Sequence, residues 1–218
     1  MINTARVLVI GDLHAPFEHK DYLNHCKAVA KEYKTTHTIF IGDVIDSHAA
    51  SFHDSDVDGY SAGHELREAR VKLQDWHKAF PNADVVIGNH DLIFARKIKA
   101  SGVPSEVMRS LTEILNVPSW RFKMKYIYDD VLYLHGQGVT ARTKALRTGL
   151  SVVQGHRHTE GYVWFQPTEM KQLWGMQVGT GIDVEAYAFD YAKDHPPAVL
   201  SCGVVLREGR LPILIPMI

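Results

Sequence analysis

"ARVLVIGDLH", residues 5–14, is an apolar run that closes on a glycine and leads straight into an aspartate and a histidine. The run predicts a strand at 5–10. A helical pattern near 20–33 and a second apolar run at 37–41, "HTIFI", complete a βαβ unit, and hence an α/β fold. The same phrase then recurs: Asp12 and His14 follow "VLVIG", Asp43 and Asp46 follow "TIFIG", and Asn89, His90 and Asp91 follow "VVIG". Further along, His135 follows "LYL", while His156 and His158 follow "VVQG". In an α/β sheet the loops at the carboxyl ends of strands converge on one rim, where ligands collect. These side chains are therefore expected to meet.

The rest of the chain fits the same frame. A long polar loop over 44–61 precedes an amphipathic helix at 64–80, with Leu66, Ala69, Leu73, Trp76 and Phe80 on one stripe. "ADVVIG" reads as a strand and about 91–115 as helical segments. "KMKYIYDDVLYLHG" reads as a hairpin turning at Asp129 and Asp130. A helix near 140–148, the strand "SVVQ" and a β-rich remainder ending in a hairpin at "REGR", residues 207–210, complete the pattern. With 218 residues, 45% of them hydrophobic, and no Gly/Ser/Pro linker or internal repeat, residues 1–218 are expected to form a single domain. Only Cys26 and Cys202 are present, without a CxxC pair, which excludes a disulfide framework and a cysteine zinc site and fits a reducing cytoplasm. The first apolar run is too short for a signal sequence or a membrane span, so the expectation is a soluble, unprocessed, cytoplasmic chain with no membrane partner. A net charge of −1 leaves any polyanion binding to a local patch.

Carboxylates and imidazoles are borderline ligands that suit Mn, Fe, Zn or Ni, and one aspartate can bridge two ions roughly 4 Å apart. Gly11, Gly42, Gly88 and Gly155 each stand just ahead of a polar side chain at a strand exit, where a Cβ would obstruct the turn or the approach of metal and phosphate.

"GDLH", "GDVID", "GNHD", a lone "LHG" and "GHRH", in this order from Gly11 to His158, resemble the calcineurin-like metallophosphoesterases. The resemblance covers about two thirds of the chain and implies a four-layer α/β/β/α sandwich with the site at the shared edge of two sheets. It implies that Asp12, His14, Asp43 and His158 hold one ion while Asp43, Asn89, His135 and His156 hold the other. The two neighbouring histidines, on one extended turn, would then serve different metals. His90 would protonate the leaving oxygen, with Asp46 orienting its ring. The ions, Mn foremost, would acidify a bridging water, place it in line with the leaving group and neutralise the phosphoryl oxygens. Asp91, an acid at a helix start, reads as a cap.

Two features stand outside that pattern. "DSDVDGYSAGHE", residues 54–65, matches an EF-hand loop with Asp54, Asp56, Asp58, Gly59 and Glu65 in register, but Ser61 stands where an apolar residue is usual and no incoming helix is predicted. Calcium binding there is not expected, and His48 and His53 in the same loop read as surface residues. Arg96, Lys97 and Lys99 follow the "GNHD" exit, and Arg142, Lys144 and Arg147 follow the "LHG" exit. If both groups flank the mouth, Arg96 and Arg142 are candidate substrate-binding residues for a substrate with more than one phosphate, a nucleotide or nucleic acid.

Three functions compete on these residues: a phosphodiesterase, a phosphomonoesterase or protein phosphatase, and a metal-stabilised binding protein without turnover. A complete ligand set argues against the third. The protein Ser/Thr phosphatases of the family carry "GDxVDRG" and "GNHE", with the arginine on phosphate; here Ser47 replaces it, which favours the phosphodiesterase.

Overall fold

A computed structural model of the chain describes residues 5–51, 59–183, 185 and 197–218. Eleven strands among these residues form two sheets. The first six-stranded sheet contains β1 (Val7–Ile10), β2 (His37–Phe40), β3 (Asp84–Val86), β4 (Arg121–Lys123), β10 (Ser201–Leu206) and β11 (Leu211–Pro216), in the order β11-β10-β1-β2-β3-β4. The second contains β5 (Lys125–Tyr128), β6 (Val131–Leu134), β7 (Ser151–Gln154), β8 (Tyr162–Pro167) and β9 (Gln172–Gln177), in the order β5-β6-β7-β9-β8. Within the first sheet β1 to β4 run parallel, and within the second β6, β7 and β9 do.

Period-two alternation on the central strands builds three hydrophobic layers. Leu8, Ile10, Phe40, Val85 and Val204 face Tyr22, Cys26 and Val29 of helix α1 (Tyr22–Glu32) and Ala69, Leu73 and Trp76 of helix α2 (Ala62–Ala79). Their neighbours Val7, Val9, Ile39, Ile41 and Val205 turn the other way and meet Tyr133, Val153, Trp174 and Met176 of the second sheet. The far face of that sheet, Leu132 and Val152, is covered by Ala141 and Ala145 of helix α5 (Ala141–Thr148). The layers are thus α/β/β/α, as the motif resemblance implies.

The expected elements are present with ends shifted by one to three residues, including the amphipathic helix, which starts at Ala62 behind Ser61, whose hydroxyl accepts the His64 N–H. The predicted helical stretch 91–115 is broken into α3 (Ile93–Ala100), a 3-10 turn at Ser105–Val107 and α4 (Leu111–Leu115). Asp129 and Asp130 turn the β5–β6 hairpin with φ of 49° and 59°, the left-handed pair that suits the twist of the flanking strands. No helix among the described residues is long and apolar enough to cross a membrane.

Candidate metal centre

Parallel β1, β2 and β3 of one sheet and β6 and β7 of the other end on the same rim, and the five loops that leave them are stitched together there. The Leu13 and His14 N–H groups donate to the Asp43 carbonyl at 3.1 and 2.8 Å, tying the first loop to the second. The Asp12 carbonyl accepts the Thr180 hydroxyl and the Gly181 N–H, both at 2.8 Å, which locks the first loop to the chain beyond β9. Nothing in the sequence motifs pointed to Thr180 or Gly181.

Three groups of ligand atoms result among the described residues, each confined within 4.8 Å: Asp12, His14 and His158 form the first, Asp43, His135 and His156 the second, and His14, Asp46 and His90 a third that shares His14 with the first. In the first, Asp12 Oδ2 lies 3.1 Å from His158 Nε2, and His158 Nε2 lies 3.2 Å from His14 Nε2. In the second, His135 Nε2 lies 2.9 Å from Asp43 Oδ2, 3.0 Å from Asn89 Oδ1 and 3.2 Å from His156 Nδ1. Asp43 Oδ2 is also 3.8 Å from His14 Nε2, so one carboxylate oxygen faces both of these groups. The seven residues expected from the motifs lie together on this rim.

Several observations fit a cation in each of the first two groups. Imidazole nitrogens face one another at 3.2 Å in both pairs, a convergence that a cation accepting both lone pairs would satisfy as well as an N–H···N hydrogen bond does. Asp12 Oδ1 is buried without a hydrogen-bond partner among the described residues, the orphaned acceptor that an ion would satisfy. Borderline imidazole nitrogens beside hard carboxylate oxygens match divalent transition metals. The glycine expectation is met at two positions in particular: a Cβ on Gly88 would stand 2.0 Å from Asp43 Oδ1, and one on Gly155 2.1 Å from Asp12 Oδ1.

Electrostatics follow from the crowding of buried acids and imidazoles. Burial works against charge on both Asp43 and His135, yet each outweighs it for the other: Asp43 is held far below the usual carboxylate range, and His135 is pushed up to about 10. Burial, with His90 and His158 nearby, keeps His14 well below the ordinary histidine value, which favours the neutral, ligating form. His156 is lowered by burial and by His135.

The backbone departs from expectation at the ligands. His14, Asp43 and His156 have φ of 51°, 45° and 69°, in the left-handed region that costs a non-glycine residue roughly 1 kcal/mol or more. His156 and His158 do point to different groups, but His156 is itself left-handed, so the stretch is not an extended turn. The His156 N–H, turned inward by this geometry, donates to Asp12 Oδ2 at 2.6 Å, so the second group's histidine also fixes the first group's aspartate.

Three further residues behave differently from the sequence reading. Asp46 Oδ1 lies 2.7 Å from His14 Nδ1 and only 3.5 Å from His90 Nδ1; the ring of His90 is held mainly by the Asp46 backbone carbonyl, at 2.5 Å. Asp91 is no helix cap: its carboxylate accepts the Val44 and Ile45 N–H groups at 3.0 and 3.3 Å and the Gly88 N–H at 2.8 Å, clamping the second loop to the third. Glu65, the last position of the EF-hand pattern, is buried and accepts the Ala49 N–H at 2.8 Å, supporting the turn His48–Ala50 that follows Asp46. Asp54, Asp56, Asp58 and His53 lie outside the described residues, and His48 is half-buried, not a surface residue.

Arg96 is exposed and its Nη2 donates to the Asn89 carbonyl at 3.0 Å, on a depression of about 320 Å³ shared with His135 and Gln137. Arg142 lines a different depression, of about 550 Å³, beside β8. Lys97, Lys99 and Arg147 are exposed and Lys144 half-buried.

A family model described as calcineurin-like phosphoesterase matches residues 5–191. No curated protein matches the chain. Among solved structures, a metallophosphoesterase from Sphaerobacter thermophilus is 16% identical with a TM-score of 0.50, covering 99% of this chain and 89% of that one. Vps29 from Chaetomium thermophilum is 14% identical with a TM-score of 0.46, over 97% and 84% of the two chains. A nuclease of Pseudomonas putida is 12% identical with a TM-score of 0.42, over 97% and 87%. At these identities the likeness is one of fold.

Proposed function

The chain belongs to the calcineurin-like phosphoesterases, metal-dependent hydrolases of phosphate esters, and from that premise we propose that it is a phosphodiesterase acting on nucleotide or nucleic-acid substrates. The observation that carries the diester preference is Ser47. It is 2% exposed, its hydroxyl has no partner among the described residues, and it stands where the phosphatase pattern has a phosphate-binding arginine. A monoester dianion therefore gains no cation at that position, whereas a diester brings one negative charge less to neutralise.

In this reading Asp12, His14, Asp43 and His158 hold one ion and Asp43, Asn89, His135 and His156 the other, with Mn the first choice and Fe, Zn or Ni chemically suited. When bound, the ions supply an acidified water and neutralise the phosphoryl oxygens. The remaining work falls to the chain itself. Asp43 places one oxygen toward both groups. His90 donates through Nδ1 to the Asp46 carbonyl, which leaves Nε2 as the atom that can hand a proton to the leaving oxygen. Burial disfavours charge on His90, but Asp43 and Asp46 outweigh it and raise its pKa above the ordinary histidine value. Arg96, anchored beside Asn89, is the cation placed to meet a substrate phosphate, and it is also the feature that favours the second reading, a phosphomonoesterase.

The test is a panel. Metal-stripped protein reloaded with Mn, Zn, Fe or Ni is assayed on p-nitrophenyl phosphate, bis-p-nitrophenyl phosphate, cyclic nucleotides, single-stranded DNA and phosphoserine peptides. Higher kcat/KM on diesters is expected; a strong preference for phosphoserine peptides or p-nitrophenyl phosphate over every diester would overturn the proposal.

A further inference from the structure

The depression beside β8 is built by the two loops that carry the second-sheet histidines. From His135 the chain runs five residues to Thr140, and from His158 two residues to Glu160, roughly 7 Å of extended chain. Both Thr140 and Glu160 line the depression, with Arg142, Thr143, Tyr162, Val163 and Trp164. Tyr162, at the start of β8, pairs with Gln177, whose side-chain amide donates to the Gly155 carbonyl at the root of the histidine loop. The depression therefore lies on the α5 side of the second sheet, at the end of the sheet from which the histidine loops leave.

Its wall is made by a local absence. Trp164 pairs across the sheet with Gly175, and a Cβ at Gly175 would stand 2.9 Å from the Ala141 carbonyl carbon and 3.0 Å from the Arg142 nitrogen. Without that Cβ the first turn of α5 rests on β9, and the Arg142 guanidinium is carried over the Trp164 ring, 5.3 Å from its centroid. Arg142 is exposed and has no carboxylate partner among the described residues, whereas the neighbouring Glu160 is occupied by Arg157, 2.6 Å from its Nε. Trp164 is half-buried, unlike Trp76, Trp120 and Trp174, which are at most 2% exposed.

Resting on the nucleotide-diester reading above, we infer that the Arg142–Trp164 pair is a stacking platform for a nucleobase of the substrate, set beside the metal centre to select nucleoside esters over base-free ones. A guanidinium laid over an indole keeps its outer face and N–H edge free. Nucleobases stack on guanidinium planes and aromatic rings, and their carbonyls accept from the same edge. The indole beneath orders the arginine in advance, which lowers the entropic cost of binding. The depression is large enough for a nucleoside, and the threonine hydroxyls and Tyr162 give it a polar lining.

Two measurements test this. The first is the ratio of kcat/KM for thymidine 5′-p-nitrophenyl phosphate to that for methyl p-nitrophenyl phosphate. It is expected to fall about 10-fold or more in Arg142→Ala and Trp164→Ala, to recover in Trp164→Phe, and to hold in Leu146→Ala on the same helix. An unchanged ratio in folded Arg142→Ala overturns the inference and leaves the diester reading standing. The second needs no turnover. In metal-free protein, adenosine 5′-monophosphate is expected to change the tryptophan fluorescence that Trp164→Phe removes, with an apparent Kd about 10-fold weaker in Arg142→Ala, while ribose 5-phosphate leaves it unchanged. That result supports the platform even if no diester is hydrolysed. An equal response to ribose 5-phosphate, or none to the nucleotide, overturns it.

Discussion

Replacing Asp46 by Asn separates two roles that the motif pattern cannot tell apart. If Asp46 served only to orient His90, the variant would keep both metal ions and lose turnover. The structure places its carboxylate elsewhere: Oδ1 lies 2.7 Å from His14 Nδ1, and both side chains are at most 1% exposed. That contact fixes the tautomer with the proton on Nδ1 and turns Nε2 toward Asp43 and His158, where an ion would bind. A hydrogen bond to a charged group contributes roughly 1.5–3 kcal/mol and a neutral one about 1, so Asp46→Asn weakens the restraint by about 0.5–2 kcal/mol. At about 1.4 kcal/mol per factor of ten this is roughly a 2- to 30-fold loss of affinity, overlapping the roughly 10- to 100-fold effect of removing outer partners of ligating histidines. Titration of the stripped variant against a fluorescent chelator should show one ion bound more weakly, by up to about 30-fold, and the other unchanged. Turnover should return to within about ten-fold at saturating metal. Two ions bound as in the parent, with kcat depressed at every metal concentration, would refute this reasoning.

Other perturbations have equally distinct outcomes. His90→Ala should retain near-full metal content yet lose roughly 10²- to 10⁴-fold in kcat, less for a p-nitrophenolate leaving group, which departs without a proton. Shed metal, or equal losses on good and poor leaving groups, would deny it the role of acid. Glu65, pushed up to about 7 by burial from an ordinary 4.5, binds its proton more tightly folded than unfolded. Its contribution is thus fully present below pH 4.5 and lost as pH rises through 7, on the order of 3 kcal/mol at about 1.4 kcal/mol per unit. Glu65→Gln should therefore melt higher than the parent at pH 8 and equally at pH 4, by calorimetry; no difference between the two pH values would contradict this. Gly155→Ala, whose Cβ would meet Asp12 Oδ1 and Ile41, should cost the ion held by Asp12 in a metal count while far-ultraviolet circular dichroism stays native.

Much of this centre was legible because its logic is local. Each expected ligand sits one to five residues behind an apolar run, and burial on both faces of β1 and β7 forces those runs into the sheets, so position behind the run predicts position on the rim. The pairing of histidines with carboxylates was legible through the motif order alone. What was hidden depends on contacts between distant segments. Asp91 looks like a cap because it opens a helical stretch, yet its partners are 46 and 47 residues away in the second loop. Glu65 carries the acid expected in a first helical turn, and only the folded chain brings Ala49 to it. His14, Asp43 and His156 are of the types most often found in left-handed backbone, but nothing local in the sequence marks which of the many aspartates and histidines adopt it. Gly175, which admits the first turn of α5, stands mid-strand without any turn signal.

The central claim is a pair of ion sites sharing Asp43, and counting metal tests it most directly. Purified protein saturated with Mn, desalted and subjected to elemental analysis should hold two ions per chain, because Asp43 Oδ2 faces His135 at 2.9 Å on one side and His14 at 3.8 Å on the other. Asp43→Asn should release both together. Fewer than one equivalent in the folded parent, or an Asp43→Asn variant that keeps either ion at full occupancy, would contradict the account.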